Sequence, residues 1–365
     1  SNALQKTGDG YKFAYNVGAD LLDMEQVQFH PTGMVWPFGV KGILVTEGVR
    51  GEGGVLLNNK GERFMLKYSP EKKELDARDI VARAVYKEIN KGNGTEHGGV
   101  YLDISHKGAD FIKEKLPSMY TQFKELANVD ITKDKMEVAP TVHYIMGGIM
   151  VDPETGMTNV KGLFAAGESA SGLHGANRLG GNSLADILVF GKRTGLKAAE
   201  HSRKERSEKI SDAEAKNEIE RISSYLGEGT NPHLLTERLR SAMSEHVGIV
   251  RSGAGLKKAL KATYELRKES RKAKVKGDIK FNQGLIECIE LDNMLLLAEC
   301  IIKSALERKE CRGAHTRRDY PRRDDPEWNV NIVCKNVDGS IKFEKKPVPE
   351  MPDRLKRLIT KKAGH

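Results

Sequence analysis

The sequence predicts an α+β fold of several domains, with mixed strand and helix units first and a helical bundle towards the C-terminus. Three observations predict it. The chain has 365 residues, enough for two or more domains and a sizeable core. Strand-like runs alternate with helical periodicity between Met24 and Glu137. From Ala199 the texture changes to long helical patterns with alternating charges.

Taken in order, Thr7-Gly8-Asp9-Gly10 is turn chemistry opening a helical pattern over 13–22. Residues 55–57 and 100–103 read as strands, and 78–89 and 109–123 as helices. Residues 163–166 read as a short apolar strand. A turn rich in Gly and Ser follows, then a helix starting near Asn182 or Ser183, either of which suits an N-cap. Leu184, Ile187, Leu188 and Gly191 recur along it at helical spacing. Gly180 and Gly181 stand just before it, where the missing Cβ atoms let backbone approach a flat ligand. The free N–H groups of a helix start suit an anion or a reduced ring. Helical patterns continue over about 201–226, 233–248, 255–276 and 282–310. The last carries an apolar stripe of Leu285, Ile286, Ile289, Leu296 and Cys300. Beyond Arg312 the chain is rich in Pro and charge and reads as an extended tail with one or two short strands, one at 331–334. The predicted units are 1–23, 24–139, 140–198, 199–312 and 313–365.

Hydrophobic residues make up 38% of the chain and charged ones 30%, as in a soluble protein. No apolar run approaches the roughly 20 residues that cross a bilayer. Ser1-Asn2-Ala3 reads as an expression scar, and no targeting segment is visible. The net charge of +9 reads first as a solvated basic face and second as a docking face for a partner subunit or an anionic membrane. Nucleic-acid binding is disfavoured, because the excess Lys and Arg lie along C-terminal helices without interleaved aromatics, which total 6%. Cys288, Cys300, Cys311 and Cys334 show no CxxC spacing and read neither as a metal site nor as an iron–sulfur ligand run. Cys288 and Cys300 are expected to be buried thiols, with no disulfide, in a reducing compartment. His97, His106, His233 and His246 match no motif and are expected at the surface.

No Ser/His/Asp set and no Cys/His pair falls within a recognisable motif. Instead His30, Thr46, Arg78, His143 and Arg178 each stand beside glycines or a turn. Glu168, His174, Asn177 and Arg178 share one turn, and a purely structural turn has little use for all four. Glu47 and Arg50 lie three residues apart and would share a helical face, where they could simply pair. Each residue alone has a plainer reading. Arg78 could form a surface ion pair with Asp76 or Asp79, His30 could be a turn residue before Pro31, and Arg178 could cap a helix or pair with Glu168.

The order of the motifs decides between these readings. QFHPTG at 28–33, LVTEGVRGEGG at 44–54, ARDIVAR at 77–83, HYIMGG at 143–148, LFAAGE at 163–168, HGANRLGGNSL at 174–184 and RGAH at 312–315 follow one another. Together they resemble the flavoprotein subunits of succinate dehydrogenase and fumarate reductase, in that family's order and over nearly the whole chain. The resemblance implies an α/β capping domain at 24–139, parts of an FAD-binding domain at 1–23 and 140–198, and the helical domain and tail behind them. It implies FAD as cofactor, contacted by Asp9, Glu168, Ser183 and Leu184, and no metal. Succinate or fumarate is a small dicarboxylate with two ends to hold, for which Arg offers a bidentate fork and His or Thr a single donor. By resemblance Arg178 and His143 hold one carboxylate, and His30 and Thr46 the other. Hydride passes between FAD N5 and one methine carbon, Arg78 delivers the proton to the other, and Glu47 and Arg50 form the proton path to Arg78.

The family's direct partner is an iron–sulfur subunit, and the membrane is met only through partner subunits. The implied location is cytoplasmic, at the inner face of the cytoplasmic membrane. One departure stands out: no GxGxxG fingerprint follows a strand, and GEGG at 51–54 is followed by strand residues instead. The chain is therefore expected to be the C-terminal portion of its family, without the half that binds the FAD pyrophosphate, and inactive by itself. Two alternatives stay open. An L-aspartate oxidase-like flavoenzyme is opposed by Ile145-Met146 and Gly180-Gly181. A non-catalytic fragment would dock a partner and bind no FAD.

Overall fold

A computed structural model describes residues 1–3, 5–205 and 211–356. The chain opens with α1 (Asp9–Asn16) and β1 (Leu21–Leu22), then β2 (Val27–Met34), α2 (Gly48–Gly51), β3 (Val55–Leu57), α3 (Met65–Tyr68) and α4 (Arg78–Glu88). Next come β4 (Val100–Asp103), α5 (Ala109–Lys115), α6 (Pro117–Ala127), β5 (Met136–Ile145) and β6 (Gly148–Ile149). The second half holds α7 (Asn182–Lys204), α8 (Asp212–Ser223), α9 (Pro232–His246), α10 (Gly253–Ser270), α11 (Gln283–Glu307), α12 (Asp325–Trp328), β7 (Val330–Val337) and β8 (Ser340–Pro347).

Two antiparallel sheets organise these elements. The first, in order β2-β5-β4-β3, packs against α4. Val81 and Val85 of α4 share a core with Leu56, Val100, Leu102, Met136 and Val138, all buried. The second sheet, in order β6-β1-β7-β8, is built from short flanking strands and the C-terminal hairpin. Its core joins Ala14 and Tyr15 of α1 to Leu297 and Cys300 of α11 and Cys334 of β7.

Several sequence expectations are corrected. The helix over 13–22 stops at Asn16, because Gly18 turns left-handed (φ 94) and Leu21–Leu22 pair as a strand. The helix over 109–123 splits into α5 and α6 at Pro117, since a proline disfavours helical backbone in the residue before it. Residues 163–166 form no strand, only a single bridge from Phe164 to Met157. The pattern over 201–226 divides, with α7 running to Lys204, α8 from Asp212, and 206–210 outside the described residues. On α11 the predicted stripe fails at Ile286, which is 48% exposed, whereas Leu291 and Leu295 are buried. The predicted boundary between 139 and 140 falls inside β5.

The chain crosses between the sheets twice, outward through residues 23–26 and back through 146–147. The crossings touch. Met146 N donates to Gln26 O at 2.9 Å, and a Cβ on Gly147 would stand 2.3 Å from Asp23 O. Arg308, at the end of α11, uses all five of its N–H donors and ties Asp23 and Glu25 of the outward crossing to the C-terminal segment. These donors reach Glu25 Oε1 at 2.5 Å, Glu310 Oε1 at 3.1 Å, Asp23 Oδ1 at 3.3 Å, and the carbonyls of Trp328 and Val330 at 3.2 and 2.9 Å. Burial pushes the Glu25 carboxyl up to about 6 against the pull of Arg308. Arg308→Met should leave buried carboxylates without their cation and cost about 3–5 kcal/mol. Urea denaturation at pH 7 checks this, and a loss under about 1 kcal/mol, the scale of a surface pair, would contradict it.

Candidate active site

β2 carries QFHPTG into the site, with irregularities in its pairing at Gln28/Phe29 and His30/Gly33. His30 is buried, and its Nδ1 lies 3.0 Å from Thr32 O, leaving Nε2 as the ring nitrogen for a ligand. Thr32 Oγ1 donates to Val45 O at 2.8 Å, which holds Thr46 and Glu47 beside β2. From β5, His143 brings its ring to 5.2 Å from that of His30. Burial pushes His30 down to about 2 and His143 to about 4, and the charge of Arg78 is the next cause in both. Both imidazoles are therefore neutral at pH 7. Thr46 Oγ1 accepts from Gly48 N at 3.3 Å at the start of α2.

Arg78 is the first residue of α4, and its side chain is 12% exposed. Its Nε donates to Glu47 Oε2 at 2.8 Å and its Nη1 to Gln28 Oε1 at 3.3 Å. The plainer reading of a pair with Asp76 or Asp79 is corrected, because Asp76 bonds Ser69 and Ala77 N while Asp79 bonds Arg83 and Asn177. Arg50 reaches the same Glu47 oxygen from 3.8 Å. Its Nη1 donates to Glu74 O, and its buried Nε and Nη2 have no hydrogen-bond partner among the described residues. Burial lowers Arg50 to about 10. Burial works against ionisation of Glu47, but the bond from Arg78 and the charges of Arg78, Arg50 and Arg178 outweigh it and hold the carboxyl below its usual range.

The turn over 174–181 arrives from the other side. Arg178 is buried, with its guanidinium 4.3 Å from the Tyr144 ring centroid. Its Nη1 donates to Leu179 O at 3.4 Å and Ser183 Oγ at 3.3 Å, while its buried Nε has no partner among the described residues. Glu168 does not pair with it. That carboxylate accepts from Ile145 N at 3.1 Å and faces Lys6 at 3.7 Å. A Cβ on Gly180 would stand 3.2 Å from both Arg78 Nη2 and Glu47 Oε2, so this glycine lets the turn lie directly on the Arg78–Glu47 pair.

Gln28, absent from the sequence-based set, joins these parts. Buried Gln28 donates from Nε2 to Asn177 Oδ1 at 2.8 Å and Arg178 O at 2.7 Å, while its Oε1 accepts from Arg78. Asn177 Nδ2 donates to Asp79 Oδ1 at 2.8 Å. Gln28 stands two residues before His30, the period that shares a strand face, so a signal for it was present. Beneath Arg178, His174 Nε2 lies 3.2 Å from Tyr144 OH and 3.3 Å from Asp186. His97, expected at the surface, is partly exposed there, where it stacks on Trp36 with centroids 4.2 Å apart and meets Glu137 at 2.7 Å.

The start of α7 fits a flat, electron-accepting ring. Its N-cap is Gly181, left-handed at φ 81 and without a side-chain cap bond, so Asn182 and Ser183 lie within the first turn and do not cap it. The first N–H groups lack a capping side chain and face a developing negative charge favourably. Leu184, 64% exposed, adds apolar surface, and Arg178 Nε adds an unmet donor. Of the expected cofactor contacts, Ser183 and Leu184 lie in this first turn, whereas Glu168 sits on the short turn Gly167–Ser169. Asp9 faces α11, accepting from Asn293 Nδ2 at 2.7 Å and from Thr7 Oγ1 at 3.2 Å.

Residues 1–184 match the family described as FAD binding domain, and residues 236–356 the family described as Fumarate reductase flavoprotein C-term. The chain belongs to the succinate dehydrogenase and fumarate reductase flavoprotein family. It is 49% identical over 334 residues to a fumarate reductase (CoM/CoB) subunit of Methanothermobacter marburgensis, a match covering 91% of this chain and 60% of that one. To the succinate dehydrogenase flavoprotein subunit of Coxiella burnetii it is 41% identical over 370 residues, covering 96% and 62%. Among solved structures, the FrdA chain of E. coli quinol fumarate reductase superposes with a TM-score of 0.89 at 37% identity, covering 96% and 63%. This flavoprotein chain thus spans about 60% of the length of the curated relatives it matches. The family's cofactor is FAD.

The two neutral histidines give a pH prediction. Their folded values lie below the ordinary 6.5, so the unfolded chain takes up protons first and stability falls as pH drops below 6.5. His30, held near 2, stays neutral through that whole window. Between pH 6.5 and about 4 the wild type should lose about 1.4 kcal/mol per pH unit more than His30→Asn. Urea denaturation across that range measures the difference, and parallel curves would contradict it.

Proposed function

We propose that this chain is the substrate-handling portion of a flavoprotein subunit that interconverts succinate and fumarate with FAD as cofactor. The observation that carries the reading is the Arg178 turn lying on the Arg78–Glu47 pair, with Gly180 at the contact and two neutral histidines alongside. Arg178 and His143 hold one carboxylate of the substrate, and His30 and Thr46 the other. The unpartnered Nε of Arg178 supports the first assignment, because a buried guanidinium donor without an acceptor is satisfied by a carboxylate. Neutral imidazoles donate hydrogen bonds without adding to the positive charge of three nearby arginines.

When bound, FAD supplies the hydride chemistry at one methine carbon. Arg78 gives a proton to the other carbon in fumarate reduction and receives it back in succinate oxidation, so hydride and proton together account for the two added hydrogens. Glu47 touches both Arg78 and Arg50 through the same oxygen and returns the proton to Arg78. With 45% of its side chain exposed, Glu47 also connects this path to solvent. The lowered pKa of Arg50 eases proton release from a group that in water holds its proton tightly. An iron–sulfur partner subunit exchanges electrons with FAD, and partner subunits supply any contact with the inner face of the cytoplasmic membrane. Among the described residues no helix is long and apolar enough to cross a membrane.

Arg78→Lys in the full-length, FAD-loaded subunit keeps the charge but loses the guanidinium edge. It should lower kcat by about 10²–10⁴-fold, the scale of a positioned acid, with little change in KM. Glu47→Gln should cause a smaller fall. A raised KM at unchanged kcat for Arg78→Lys would make Arg78 a binding residue only. Steady-state fumarate reduction with a reduced dye reads both.

Removing the substrate clamp separates its two ends. Arg178→Ala should abolish measurable turnover, whereas His30→Ala removes one donor to a charged group, worth about 1.5–3 kcal/mol. A more severe loss for His30→Ala in the same assay would reverse the assignment of the two ends.

A further inference from the structure

The RGAH motif has no part in the chemistry above, yet it touches both supports of Arg178. Its backbone closes a tight turn, with Arg312 N donating to His315 O at 2.9 Å and His315 N to Arg312 O at 3.0 Å. Gly313 is left-handed at φ 54, and a Cβ there would stand 2.3 Å from Ala176 O and 2.6 Å from its carbonyl carbon. Ala314 N donates to the same Ala176 O at 2.9 Å. Ala176 lies two residues before Arg178. Ala314 also packs with Tyr144, the ring beneath the Arg178 guanidinium.

The turn is held from behind and tied forward. Buried His315 lies 2.9 Å from Arg251 Nη1, and Arg251 also donates to Glu25 O at 2.7 Å, in the outward crossing. Forward, Arg83 of α4 donates to Gly313 O at 3.2 Å and Thr316 Oγ1 at 3.4 Å. Its other nitrogen holds Asp79 at 2.8 Å, and Asp79 accepts from Asn177 in the arginine turn. The result is a closed ring of contacts through Ala176, Gly313, Arg83, Asp79 and Asn177. Arg78 opens the helix that carries Asp79 and Arg83, and Arg178 follows Asn177.

We infer that the 312–315 turn is a positioning element that fixes Arg178 relative to Arg78, with Gly313 and Arg83 as positioning residues. It needs glycine at 313 because both the left-handed backbone and the contact with Ala176 exclude a side chain. Its consequence is geometric: a displacement of about 1 Å between two such groups is enough to lose about 10²-fold in rate. The effect on dicarboxylate binding rests on the function proposed above, whereas the effect on the turn itself does not.

The test therefore has two arms, each with Gly313→Ala and, should that variant fail to fold, Arg83→Ala. Hydrogen–deuterium exchange on this chain needs neither FAD nor turnover. Exchange over 174–181 should quicken about tenfold or more, while the strands at 55–57 and 100–103 keep wild-type rates. Unchanged exchange at 174–181, or a uniform rise across the chain, would overturn the inference. In the second arm malonate, a dicarboxylate that cannot be reduced, is titrated calorimetrically into the full-length, FAD-loaded subunit. Its dissociation constant should rise about tenfold in the variants, with the melting temperature held within a few degrees. Wild-type affinity in the variants would overturn the positioning role. Failure of the wild type to bind malonate would sink the proposed function instead, and the exchange arm would still judge the turn.

Discussion

Two crossings of the backbone between two sheets set everything else in this molecule. The cap-side sheet and its loops supply His30, Thr46, Glu47, Arg50 and Arg78, and β5 supplies His143. Arg178 comes from the other side. A small rotation at the crossings would separate the two arginines by ångströms. Arg308 resists that rotation by meeting five acceptors in a buried setting, which a planar guanidinium can do and an ammonium cannot. Arg251 adds a second grip on the same crossing through Glu25 O. Buried charge of this kind adds little net stability over a well-packed apolar core, but it permits few alternative arrangements.

The site concentrates positive charge. Arg50, Arg78 and Arg178 all act on the one carboxylate of Glu47, and Arg78 also lowers the affinity of both histidines for protons. Such an arrangement is unfavourable without an anion, as are the unpartnered guanidinium nitrogens of Arg50 and Arg178. A dianionic ligand relieves both. The frustration is local, confined to a few side chains held by well-satisfied surroundings, which is where a fold departs from its own packing rules for the sake of binding.

Legibility in the sequence followed the range of the interaction. Helix α4 and strands β3 and β4 are readable because their periodicity is set by neighbours a few residues away. The break at Pro117 was equally local, and only the apolar pattern running through it hid it. The stripe on α11 was misread because that helix is buried on more than one side, so no single face describes it. Residues 163–166 have strand composition but lack a partner beyond one bridge, and a strand is defined by its partner.

The amino-acid order alone determined the α+β class and the family, because these depend on residue chemistry and motif succession. Tertiary structure alone decided which groups meet. Arg78 takes Glu47 and leaves its neighbours Asp76 and Asp79 to others. Gly180 serves the approach to that pair, and Gly313 the approach to Ala176. Gln28 joins the two arginine segments. The physical reason is common to all four: contact between segments 31 or more residues apart, together with the burial that alters the energy of each charge, is a property of the packed chain that local spacing does not specify.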